Sequence, residues 1–198
     1  IPGRVNVALA ANGGAATASS TLNANYPASA VTNGDRKGLN WGAGGGWNDG
    51  TPNTSPDWVE INFTGQKLIE EVNVFSMQDS YTAPVEPTPT LEFTLWGLRA
   101  FEVQYWTGTD WAVLPGGAVT NNNLVWRRVV FVPVTTSKIR VHISAALNGS
   151  SRVMEVEAWG VSASGNTPPT VAIASSWFSA SIVSIWTMTQ SSVAACLK

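Results

Sequence analysis

Apolar and polar residues alternate in twos through WVEINF, FEVQYW and KIRVHIS, and no 3.6-residue period lasts beyond two turns. A period of two gives each segment one face for a core and one for water. The chain therefore reads as all-β, with strands expected at 5–9, 58–63, 71–77, 101–106, 111–114, 126–131, 138–144 and 153–159. In FEVQYWTGTDWAVLPG, Phe101, Val103 and Tyr105 share a face, and Thr107 to Asp110 supplies a glycine-containing turn, which predicts a hairpin. Eight short strands joined by loops rich in Gly, Pro and Asn point to a sandwich or jelly roll.

Two connections, 39–57 and 78–91, exceed the roughly 12 to 15 residues of an ordinary loop, a length that favours a functional role. After Gly160 the sequence VSASGNTPPTV has the composition of a linker. The expected organisation is a domain over 1–160, a linker over 161–170 and an uncharged tail over 171–198. The tail carries too many Ser, Thr and Gln residues for a membrane span of about 20 apolar residues. It reads better as the start of a second, Ig-like β module or as an assembly segment for self-association.

Only 12% of residues are charged, the net charge is −2, and no Lys/Arg run exceeds two residues. That removes the electrostatic footprint expected for nucleic acid or anionic lipid. The single cysteine, Cys196, rules out a disulfide within the chain. His142, the one histidine, alternates with Ile139, Val141 and Ile143 and so belongs to an outer strand face. With no His/Cys cluster for zinc and no nucleophile elbow, catalysis is not expected.

Four segments, taken together and in this order, resemble the F5/8 type C (discoidin-like) domain, close to the bacterial family 32 carbohydrate-binding modules. They are NVALAANGGAATASS with its downstream ASAVTNGD, PDWVEINF, the FEVQYWTGTDW hairpin, and RVMEVEAWG, within about residues 5 to 160. The resemblance implies an eight-stranded antiparallel jelly-roll β-sandwich of the galactose-binding-domain type, followed here by a C-terminal extension. It also implies a non-catalytic adhesion module of an extracellular, cell-surface or virion-surface protein, of bacterial or phage origin, binding galactose-type or related glycans. A structural assembly subunit using the same fold for protein contacts is the alternative.

The resemblance places Ca²⁺ at the Asn33-Gly34-Asp35 turn, with Glu155 from the last strand and carbonyls of Ala30, Gly38 and Met154. A hard cation takes six to eight such oxygens. Asn33 stands where many relatives carry Asp, which removes one negative charge. For the glycan, aromatic rings can stack on the C–H face of a sugar while polar side chains take its hydroxyls. The candidates in or beside the long loops are Trp41, Trp47, Asn48, Asp49, Asp79, Tyr81, Glu86, Trp96 and Arg99. Trp41 and Trp47 fit either exposed rings or a loop folded over the sandwich. Trp58, Trp106, Trp111, Trp126 and Trp159 lie in expected strands and read as core or sheet-face residues, Trp58 as core. Arg36, Arg127, Arg128 and Arg152 could meet acidic sugars, although ion pairs within the protein are the commoner role.

Overall fold

The alternation in residues 57–76 and 126–146 yields two strands far longer than the sequence suggests. The computed structural model describes residues 1–162, with strands β1 (Val5–Asn6), β2 (Ala15–Ala18), β3 (Trp47–Asn48), β4 (Asp57–Ser76), β5 (Leu98–Trp106), β6 (Trp111–Val119), β7 (Trp126–Ala146) and β8 (Arg152–Ser162). The segments expected at 58–63 and 71–77 are two parts of β4, and those at 126–131 and 138–144 are two parts of β7. β2 and β3 were not anticipated. AATA has little apolar contrast, and β3 lies within a glycine-rich loop.

β4 and β7 pair antiparallel from Asp57↔Ile143 to Asn62↔Lys138, lose register, and resume from Lys67↔Thr136 to Phe75↔Trp126. Before the break, β4 also pairs with β2, and this part of β7 pairs with β5, which carries β6. Beyond the break, β4 pairs with β8, to which β1 and β3 add. Both long strands thus serve two layers, and an eight-stranded antiparallel sheet closes on itself as a sandwich. Val59, Ile61, Val103 and Val141 meet Val72, Val74, Phe131 and Val156 between the layers, all buried. Each such side chain contributes about 1.5–3 kcal/mol on burial.

Bulges reset which residues face the core. Ile69 is followed inward by Val72 and Val74, because the register slips between Ile69 and Glu71. On β8 the slip at Met154 does the same, so Val153, Val156 and Ala158 all reach the core. One extra residue in a strand turns the next side chains to the opposite face.

Four of the five strand tryptophans meet the sheet-face expectation, and Trp58 departs from the core reading. Trp58, Trp106, Trp111, Trp126 and Trp159 are all only partly buried, so the core reading of Trp58 is corrected: its parity is that of Glu60, while Val59 and Ile61 point inward. The ring in the core is Trp47, 0% exposed, whose Nε1 donates to the carbonyl of Ser20 at 2.9 Å. His142 sits on an outer face as its alternation implies. β8 continues to Ser162, two residues past the expected end of the domain, and Val161 and Ser162 pair with Leu68 and Lys67. The rest of the linker and the tail lie outside the described residues, as do their readings as a second module or assembly segment. No helix among the described residues is long and apolar enough to cross a membrane.

On the outer face of the second layer, Glu71 accepts from Arg128 at 2.8 Å, Asn73 at 3.0 Å and Arg4 at 3.1 Å. Burial alone would push this carboxyl up, but the donors outweigh it and hold it at about 2. Its folded value lies below the ordinary 4.5, so its contribution to stability is present above that pH. Urea unfolding should show this stability draining away between pH 4.5 and 2, and the Glu71→Gln chain should lose less over that window. Trp47→Ala should cost about 3–5 kcal/mol in the same measurement, whereas Trp58→Ala should cost less than about 1.5 kcal/mol.

Candidate functional site

At the end of the sandwich where β8 begins, Tyr26, Trp41, Asn48, Met77, Tyr81, Trp96 and Arg152 line a cleft of about 180 Å³. Four of the sequence candidates, Trp41, Asn48, Tyr81 and Trp96, meet there. Tyr26 and Trp41 pack with centroids 4.8 Å apart, and Tyr81 stands edge-on to Trp96 at 6.2 Å. Trp41 lies over Gly46, where a side chain would collide with its ring and with Met154, so the glycine run lets the ring settle on the core instead of standing free. Arg152 places its guanidinium 5.1 Å from the Trp96 ring, and its Nη1 donates to the carbonyls of Leu147 and Ser150 at 3.1 Å each. Two lining residues keep a buried polar atom without a partner, Oδ1 of Asn48 and Nε1 of Trp96. Leaving such an atom unpaired costs about 1–3 kcal/mol.

The remaining candidates are elsewhere or otherwise engaged. Trp47 is core, and Asp49, 1% exposed, accepts from the backbone N–H groups of Ser151 at 2.7 Å and Thr51 at 3.0 Å. Both are therefore corrected from ligand contacts to supports. Asp79 accepts from Thr94 N and Oγ1, both at 2.8 Å, and from Leu95 N at 2.9 Å. Burial opposes its charge, but these donors and the N–H of Trp96 hold the carboxyl below its usual range. It thereby fixes the turn that presents Trp96. Arg99 donates to the carbonyl of Asn122 at 2.8 Å, and Glu86 pairs with Arg36 at 3.7 Å. Neither Arg99 nor Glu86 lines the cleft. Sequence reasoning missed Tyr26 and Met77, which carry no local signal, and named Arg152 only as one of four arginines that could meet acidic sugars, with ion pairing as the commoner role.

Two larger hollows hold no aromatic ring. One, of about 310 Å³, is lined by Asn53, Asp57, Ser144, Ser150, Ser151 and neighbours. The other, of about 450 Å³, lies beside Asn33, Gly34, Asp35 and the 39–45 segment.

Next to that second hollow, Glu155 is 0% exposed. Its Oε2 accepts from Gly34 N at 3.1 Å, and its Oε1 has no partner. Burial pushes this carboxyl up to about 9, with Glu157 and Asp35 adding to the effect. Asp35 accepts from the N–H groups of Lys37 and Leu39, and Asn33 accepts from Asp35 N, so the turn is tightly wound around its own oxygens. Gly38 packs so closely on Met154 that a side chain there would strike the sulfur. Among the described residues no three His, Cys, Asp or Glu side chains group as metal ligands. A cation would have to rely on at most two carboxylates, Glu155 and Asp35, together with amide and backbone carbonyls, and the orphaned oxygen of Glu155 fits that arrangement.

The fold is that of carbohydrate-binding modules. Solved structures of similar fold include chitosan-binding module 1 of a chitosanase/glucanase from Paenibacillus sp. IK-5 (TM-score 0.59, 19% identity, 79% of this chain and 99% of that one). A fucose-binding module of Streptococcus pneumoniae matches with TM-score 0.58 and 18% identity over 80% and 97% of the two chains. The family 32 module of NanJ from C. perfringens, solved with galactose, matches with TM-score 0.55 and 14% identity over 79% and 98%. The discoidin-like resemblance read in the sequence is thus borne out at the level of fold. No sequence-family model matches the chain, and no curated protein sequence matches it.

Proposed function

We propose that this domain is a non-catalytic carbohydrate-binding module that holds one sugar of a glycan in the aromatic cleft. The observation that carries the reading is the convergence of Tyr26, Trp41, Tyr81 and Trp96 with Arg152 and the unpaired Oδ1 of Asn48. Rings offer an apolar face to sugar C–H groups, while the hydroxyls of Tyr26 and Tyr81 and the guanidinium of Arg152 offer polar contacts to its hydroxyls. At about 180 Å³ the cleft is smaller than the roughly 300 Å³ where drug-sized sites begin, which suits a single residue at a chain end. Solved modules of this fold include one in complex with galactose and one that binds fucose, and a galactose-type or related sugar is the expected ligand class. Binding of this kind serves adhesion by an extracellular bacterial or phage protein, with weak single sites strengthened by multivalency.

The same reading includes a structural Ca²⁺ at the Asn33-Gly34-Asp35 turn, held by Glu155 with Asp35, Asn33 and carbonyls of Ala30, Gly38 and Met154. When bound, it would supply the positive charge that keeps Glu155 ionised inside the protein. Without it, Glu155 stays protonated near neutral pH, because its folded value of about 9 lies above that range.

Glycan-array and calorimetric binding test the first part. Trp41→Ala and Trp96→Ala should each weaken binding about tenfold or more while leaving the fold intact by circular dichroism. Unchanged affinity in both, or no glycan bound by the wild type, overturns the site. For the cation, millimolar Ca²⁺ should raise the unfolding temperature by about 4 °C or more. Glu155→Gln should abolish that response without lowering the temperature measured in chelator, since the amide mimics the protonated acid. A wild-type melting curve indifferent to Ca²⁺ removes the cation from the reading.

A further inference from the structure

Three of the seven arginines are held by carboxylates. Arg4 contacts Glu70 and Glu71, Arg36 contacts Glu157 and Glu86, and Arg128 contacts Glu71. Arg152 differs. It is partly buried against Trp96, yet it appears in none of the ion pairs among the described residues. Its Nη1 is spent on two carbonyls, and its Nε and Nη2 donate to no described residue. Asp49 acts on it only through space, its two oxygens being taken by the N–H groups of Ser151 and Thr51. Asp79 is not among the cleft-lining residues, and its charge is held by the N–H groups of Thr94 and Leu95 and the Thr94 hydroxyl. Among the described residues no carboxylate lines the cleft.

A cation drawn out of water without a countercharge is costly, and the fork of a guanidinium matches a carboxylate with two parallel hydrogen bonds. From this we infer that the cleft selects an anionic sugar, one whose ring bears a carboxylate, and that Arg152 is the residue that reads it. The inference rests on the carbohydrate-binding reading and narrows its ligand class. A protonated amino sugar brings a positive charge against Arg152 with no carboxylate to receive it, so the cleft disfavours that class. Burial lowers the Arg152 pKa, with the charge of Asp49 opposing the shift.

Calorimetry on the full chain compares sugars matched except for charge: galacturonate against galactose, glucuronate against glucose, and glucosamine as the cation. A galactose 6-sulfate arm asks whether any anion suffices. Each uronate should bind about tenfold tighter than its neutral hexose at low salt, the worth of one charge-assisted contact. Glucosamine should bind more weakly than glucose, and the sulfate less well than the carboxylate. Raising NaCl should erode the uronate preference while leaving the neutral sugar unchanged. Arg152→Gln should abolish the preference, and Arg152→Lys should restore part of it. Because Arg152 also braces Leu147 and Ser150, the salt series on the wild type decides the matter even if a variant is unstable. Neutral hexoses bound as tightly as uronates, with no salt dependence, overturn the inference and leave the carbohydrate reading standing. Failure to bind any sugar sinks both.

Discussion

The indole of Trp47 is the contact on which the functional end of the molecule depends. A 19-residue glycine-rich loop has no reason of its own to hold a shape, and chain entropy of about 1–2 kcal/mol per residue works against one. Burying this ring in the main core, with Nε1 closed on Ser20, pins the middle of the loop to the sandwich. Once Trp47 and Asn48 pair with Val153 and Arg152, Asp49 can cap Ser151. The chain on either side is then held, and Trp41 can rest on Gly46 and Met154 facing Tyr26. The loop is a self-pinned cover whose free edge forms one wall of the cleft.

Much of the fold could be read from alternation, because a half-buried strand must write its burial pattern into its sequence. The two-layer arrangement was harder. β4 and β7 each looked like two strands, since at the corner the alternation lapses in TGQ and in VPVTT, where the strand changes layer. The core reading of Trp58 failed on parity that was in plain sight: in DWVEINF the tryptophan keeps company with Glu60 and Asn62. A large aromatic ring does not override the face its position assigns it. The bulge on β8 also had a mark in the sequence, the three-residue step from Val153 to Val156 in an otherwise two-residue rhythm.

The site was legible only in half. Trp41, Asn48, Tyr81 and Trp96 could be named from loop length and residue type, and they do converge. Asp49 and Asp79 share that chemistry, but a short acidic side chain in a loop is as often the organiser of the turn as the reader of a ligand. The difference lies in where the neighbouring N–H groups point, which residue type does not tell. Tyr26 and Met77 are brought in by tertiary packing alone. Arg152 could be singled out only by its place in the cleft: Arg99, Arg127 and Arg140 equally have no carboxylate in contact among the described residues, but they do not line it.

Glu155 and Arg152, an acid and a base, lie three residues apart on one strand and do not satisfy each other. The bulge between them sends Arg152 over Trp96 toward the cleft and Glu155 against Gly34 beneath the 33–38 turn. Each side chain ends with a polar group short of partners, as do Asn48 and Trp96 beside them. Among the described residues, the three buried side-chain atoms without partners thus lie on residues of the cleft and of the cation turn, while the buried Glu71, Asn73 and Glu157 on the outer face of the second layer are fully bonded. On the proposed reading, a sugar and a cation would complete the polar groups of these two places.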